Sequence, residues 1–179
     1  DPNAAKTFLI NGKAPAPGDV FKNPALAGSL EQIAKGGRDV FYKGAIAKAI
    51  ADDIQRRNGL LTAKDLADHH ADWVEPLSTT YRGYQVLELP PNTQGVTALE
   101  MLNILEGFDL KSLGHNTAAY LHVMVEAKKI AFADRGAWIG DPSSTPPKAI
   151  ERMLSKDYAA ERRKEINPDK ASEYKALTL

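Results

Sequence analysis

The chain has 179 residues, with 23 Lys and Arg against 23 Asp and Glu, 43% hydrophobic and 26% charged, a balance that excludes disorder and collagen-like structure and suffices for one core or two small ones. A formal charge of zero offers no overall attraction to phosphate backbones or anionic lipid, so neither nucleic acid nor a membrane is an expected partner. With no cysteine, disulfides, thiolate nucleophiles and Cys-based metal sites are excluded, and no apolar run approaches the length of a membrane span.

The chain opens on Asp1-Pro2-Asn3 without an initiating Met or a leader pattern and reads as a fragment. Asn11-Gly12, Pro15, Pro17 and Gly18 predict an extended, turn-rich arm over 1–22, with Phe8 to Ile10 at most an edge strand. Asn23 as N-cap, Pro24 at the first helical position and Leu26, Leu30 and Ile33 at helical spacing predict a helix that Gly36-Gly37 stops. From Phe41 to Arg57, Ile46, Ile50 and Ile54 recur every four residues and predict a second helix, closed by Arg56, Arg57 and Asn58-Gly59. Thr62 with Asp65 is a capping-box variant that predicts a brief helix over Ala63 to Ala67.

The period then changes. Leu77 to Tyr81 and Tyr84 to Leu89, separated by Arg82-Gly83, predict a hairpin over 77–89 that stops at Pro90-Pro91. Gly95 to Glu106 is apolar nearly all round and predicts the most buried helix. Asn116 or Thr117 caps a long helix to about Asp134, and Pro142 and Pro146-Pro147 precede two short helices, the second near Lys156 to Ile166. The expected architecture is mostly helical α+β, with one lobe over 23–168 and a polar, disordered tail over 169–179.

Signatures of nucleophile elbow, phosphate loop, dinucleotide fold and H-E-x-x-H zinc site are absent. Gly36-Gly37 reads as a helix stop and not a phosphate cradle. His122 and Glu126 share a helix face and can reach one metal ion, but no third ligand is near and Lys129 on the same stripe repels a cation, so an imidazole–carboxylate pair is the favoured reading and no metal is expected. His69-His70 reads as local capping. Thr79-Thr80 are internal, and a threonine whose own amine is its base must be residue one of a chain, so both read as strand packing. Asp134, Arg135 and Asp141 read as a structural ion-pair and turn system. The corner Asn92, Thr93, Gln94 and Gly95 after the prolines is by default a helix cap, and its orphan N–H groups make it a candidate substrate-binding site.

Phe21-Lys22-Asn23-Pro24-Ala25-Leu26-Ala27, Phe41-Tyr42-Lys43-Gly44, Tyr81-Arg82-Gly83-Tyr84, Leu89-Pro90-Pro91 with Gly95, Leu102 to Phe108, and Glu126-Ala127-Lys128-Lys129 through Phe132-Ala133-Asp134-Arg135 to Gly140-Asp141-Pro142 together resemble the gamma-glutamyltransferases, also called gamma-glutamyl transpeptidases or glutathione hydrolases. The resemblance implies an N-terminal-nucleophile hydrolase fold, a four-layer αββα sandwich made by a precursor that cuts itself into large and small subunits. This chain resembles the later part of the large subunit. In the family a new N-terminal threonine of the small subunit attacks the γ-glutamyl amide, and the γ-glutamyl-enzyme is resolved by water or an amine.

On that resemblance the nucleophile lies beyond Leu179 and the arginine that holds the substrate carboxylate lies before Asp1, so no catalytic residue is carried onto this chain and Arg82 and Arg135 are not substitutes. The chain alone is expected to be inactive and to need no cofactor. Its expected partners are the rest of the large subunit, the small subunit, a γ-glutamyl small molecule in the whole enzyme, and a second copy through apolar surface left bare at the hairpin and the helix after it. Asn92-Thr93-Gln94-Gly95 departs from the Ser-Ser-Gly-Gly of many members and resembles a divergent branch that includes cephalosporin acylase-like proteins. The rival readings are a related amidase acting on acylated β-lactams and a self-sufficient helical interaction module.

Overall fold

In the computed structural model, which describes residues 1–179, the chain divides between Asp72 and Trp73 into two units, and the single lobe expected over 23–168 spans both. The first unit opens on a helix where an extended arm was expected. The Asp1 carboxylate accepts the amides of Asn3 and Ala4 at 2.8 and 3.0 Å, Pro2 needs no donor, and α1 (Pro2–Phe8) follows. Beyond it Ile10 and Lys13 bridge across Asn11-Gly12.

The Asn23 side chain accepts the Leu26 amide at 3.0 Å and starts α2 (Pro24–Gly36). The helix expected over 41–57 is split into α3 (Arg38–Tyr42) and α4 (Ala45–Arg56). The break falls at Gly44, where a Cβ would stand 2.7 Å from the Val40 carbonyl oxygen, closer than any side chain permits. Thr62 and Asp65 form the full capping box of α5 (Ala63–Asp68). Only Ala47 and Ala51 of this unit's helices are buried, while Leu26 and Leu30 of α2 are more than half exposed.

In the second unit, β1 (Leu77–Tyr81) pairs antiparallel with β2 (Tyr84–Glu88), Thr79 opposite Val86. Arg82 and Gly83 both take positive φ, as a two-residue hairpin turn requires. After the proline corner come α6 (Gly95–Leu105), α7 (Leu110–Leu113), α8 (Ala118–Trp138), α9 (Pro147–Leu154) and α10 (Lys156–Arg163). Helix α6 packs against both strands and against α8, α9 and α10. Val96, Leu99 and Ile104 have no accessible surface, each contributing about 1.5–3 kcal/mol of apolar burial. Ile104, Leu105, Val123, Ala127, Ile130, Ala159 and Ile166 form the core, with Tyr174 against it.

That last contact corrects the expectation of a disordered tail: residues 169–179 carry no helix or strand, but Ser172, Tyr174 and Lys175 are hydrogen-bonded to α8 and α10. The entry to α6 is the tightest joint, since a Cβ on Gly95 would lie 2.6 Å from both the Glu88 Cβ and the Leu89 carbonyl oxygen. Gly95→Ala should therefore cost about 1–3 kcal/mol by overpacking. Gly28→Ala, at a helical site with nothing within 4 Å of the added Cβ, should instead stabilise by about 0.5–1 kcal/mol; urea unfolding of the two variants checks both.

Candidate functional site

Pro91 and Gly95 of the corner are buried, and Asn92, Thr93 and Gln94 are exposed. Thr93 Oγ1 donates to the Leu89 and Pro90 carbonyls at 2.8 and 3.0 Å and so closes the turn. Gln94 Oε1 accepts from Arg135 Nη1 at 2.6 Å, and the Arg135 guanidinium also lies over the Phe132 ring, 4.9 Å from its centroid. Arg135 thus clamps the entry of α6 to the end of α8. Of the corner's polar side chains, Asn92 alone has no intramolecular hydrogen-bond partner.

A layer of buried charge joins α6, α8 and α10. Arg162 and Asp134 both have fully buried side chains, with Nε 3.5 Å from Oδ2. Tyr158 donates to the same Asp134 oxygen at 2.8 Å, and burial, reinforced by that bond, pushes its phenol pKa up. Arg162 also donates to Glu165 at 2.8 Å and to the Lys175 carbonyl at 3.0 Å. Glu100 on α6 completes the layer. Ionised, its two oxygens and Asp134 Oδ1 have no donor to accept from. Burial first, and then the neighbouring Asp134, push the Glu100 carboxyl well above its ordinary pKa. A proton kept on Glu100 turns it into the donor that Asp134 lacks.

Further hydrogen bonds tie α6 and α10 to the hairpin and to the helix ends. Thr79 Oγ1 donates to Asn103 Oδ1 at 2.7 Å, and Asn103 Nδ2 donates to the Leu154 carbonyl at 3.0 Å. Arg163 donates to the Asn103 and Ile104 carbonyls and satisfies the C-terminal end of α6. Lys156 Nζ donates to Glu106 at 2.6 Å and to the Thr80 carbonyl at 2.5 Å.

The His122–Glu126 stripe of α8 holds the tail. His122 Nε2 donates to the Asn167 carbonyl at 2.7 Å. Glu126, 1% exposed, accepts from Lys129 at 2.8 Å, from the Tyr174 hydroxyl at 2.7 Å and from the Ser172 amide at 3.1 Å. Burial alone would raise its pKa; the three donors outweigh that and hold it at about 2. Burial and the Glu126 bond push Tyr174 up to about 12.

The remaining sequence candidates are scattered. His69 stacks on Tyr42, ring centroids 5.1 Å apart, and Arg38 lies over that Tyr42 ring and donates to the His69 carbonyl. His70 is 3.4 Å from Asp72. Asp141 accepts from the Ser143 hydroxyl and amide at 2.5 and 2.9 Å, which lowers its pKa, while Arg135 reaches Gln94 and does not pair with it. No motif or spacing marks Tyr158, Arg162 or Tyr174 as members of this site. Glu100 alone left a signal, as the one acidic residue inside the apolar run of α6.

Residues 1–178 match the family model described as Gamma-glutamyltranspeptidase. The chain is 42% identical over 165 residues, 92% of its length, to the glutathione hydrolase-like YwrD proenzyme of Bacillus subtilis, and 40% identical over 170 residues, 94% of its length, to the glutathione hydrolase proenzyme of Escherichia coli. It covers only 31% and 29% of those proteins. Among solved structures, the cephalosporin acylase of Bacillus halodurans superposes with a TM-score of 0.83 at 39% identity, over 96% of this chain and 32% of that one.

Arg162→Met strands the Asp134 charge in the core and should cost about 3–5 kcal/mol; Glu100→Gln keeps a neutral donor at that place and should cost much less, as urea unfolding will read. The lowered Glu126 pKa stabilises the fold fully above its ordinary value of 4.5 and is lost as pH falls towards about 2. The melting temperature should drop across that window, and Glu126→Gln should flatten the drop.

Proposed function

The chain belongs to the gamma-glutamyltranspeptidase family, and from that premise we propose that it is the later part of the large subunit of a two-subunit, N-terminal-nucleophile enzyme that cleaves γ-glutamyl amides. It spans about a third of its curated relatives, and the observation that carries the reading is that likeness, continuous over nearly every residue present. The reaction needs a nucleophile with a free α-amine as base and a cationic clamp for the substrate carboxylate. These come from other parts of the enzyme: Thr79 donates to Asn103, Arg162 is wholly buried and Arg135 is engaged with Gln94. This segment is the scaffold on which they are placed.

The surface of the second unit supports that role. The two-stranded sheet has no third strand, Leu87 and Leu89 are each 55% exposed, and Leu121 and Val125 of α8 are about half exposed, whereas α6, expected to be bare as well, exposes none of its large apolar side chains. The rest of the large subunit and the small subunit cover these faces; bared, they promote self-association. The likeness to a cephalosporin acylase favours a second reading within the same chemistry, in which the scissile amide belongs to an acylated β-lactam.

The purified chain should release no p-nitroaniline from γ-glutamyl-p-nitroanilide, and the full-length proenzyme should release it. Steady turnover by the chain alone overturns the scaffold reading. Full-length protein that leaves the γ-glutamyl substrate intact and deacylates a β-lactam selects the second one.

A further inference from the structure

Residues 167–175 have no helix or strand, yet four hydrogen bonds from the second unit hold them. His122 grips the Asn167 carbonyl, Glu126 the Ser172 amide and the Tyr174 hydroxyl, and Arg162 the Lys175 carbonyl. Three of the four bonds engage backbone atoms, so they set the register of the segment and not merely its side-chain packing. Two of the gripping residues are charged and buried, at 1% and 0% exposure. Stability alone does not call for that choice, because apolar residues of similar volume commonly do as well or better; in several systems buried charges instead fix one geometry.

We infer that residues 167–175 are a strap, fixed by His122, Glu126 and Arg162, that aims the stretch of chain following them for self-cleavage, which makes Glu126 and Tyr174 positioning residues for maturation. The inference rests on the reading of this segment as the large-subunit part of a proenzyme whose nucleophile follows it. Four Cα–Cα steps run from Lys175 to Leu179, a reach of at most about 14 Å, so the strap keeps Leu179 in the neighbourhood of α8 and α10. In the step that it serves, a threonine hydroxyl attacks the carbonyl of the residue before it. The peptide C–N bond breaks as an ester C–O bond forms, and the hydroxyl proton passes to the leaving nitrogen. Water then hydrolyses the ester, leaving a carboxylate upstream and a threonine with a free α-amine. Such an attack needs its atoms at near-contact distance and in line, and a strap held in register removes most of the chain's freedom to miss.

The test uses the full-length proenzyme, purified uncleaved, with conversion to two subunits followed on denaturing gels well below the melting temperature. Tyr174→Phe removes one hydroxyl, and Glu126→Gln keeps the shape of the side chain while weakening both tail bonds. Each should slow first-order cleavage about tenfold, the equivalent of one charge-assisted hydrogen bond, in protein that remains folded by circular dichroism and melting. A purely structural role would move the melting temperature and leave the cleavage rate of the folded molecules unchanged. Folded variants that mature at the wild-type rate overturn the strap and leave the family chemistry standing. Wild-type protein that never cleaves before a threonine overturns the proenzyme reading, and the strap with it.

Discussion

The arrangement of the second unit depends on one requirement: the Arg162 guanidinium, with no accessible surface, must be neutralised inside the core. A lone buried cation costs several kcal/mol even after relaxation. Asp134 supplies the opposing charge from α8, and Glu165 and the Lys175 carbonyl take the outer nitrogens. Glu100, facing Asp134 from α6, is pushed towards its neutral form by burial and by the Asp134 carboxylate, which limits the excess of negative charge. Helices α6, α8 and α10 are thereby held in one relative placement that apolar contact alone, being non-directional, would leave less defined.

The rest of the unit hangs on that placement. With α6 fixed, Asn103 can bridge the Thr79 hydroxyl and the Leu154 carbonyl, which seats the hairpin on one side and α9 on the other. With α8 fixed, Arg135 reaches Gln94 and pins the proline corner, while one stripe further along His122 and Glu126 catch the tail. The first unit has no comparable layer. Its helices bury only two alanines, and its aromatic contacts, such as Tyr42 between Arg38 and His69, lie near the surface.

Much of the secondary structure was legible because its causes are local. Asn23-Pro24, the Thr62–Asp65 box and the Arg82-Gly83 turn act within four residues of themselves, and each appears where its chemistry puts it. The departures are local too, but finer: a single Asp1 carboxylate converts part of an expected arm into α1, and Gly44 breaks an otherwise continuous periodicity. The candidate site was read far less well. Spacing places His122, Glu126 and Lys129 on one stripe and Lys129 does pair with Glu126, yet their other partners, Asn167, Ser172 and Tyr174, lie 45 and 46 to 48 residues away, a separation that no spacing rule reveals.

The order of helices, the single hairpin, the buried character of α6 and the family of the chain were thus determined by its sequence, since caps, turns, periodicity and an ordered run of motifs are all written along one dimension. Tertiary structure alone decided that Glu100, Asp134, Tyr158 and Arg162 meet, that Arg135 serves the corner and not Asp141, and that the polar tail is docked. Those outcomes turn on which charges are brought together away from water, and a charge carries no mark in the sequence of whether it will be solvated or buried opposite a partner.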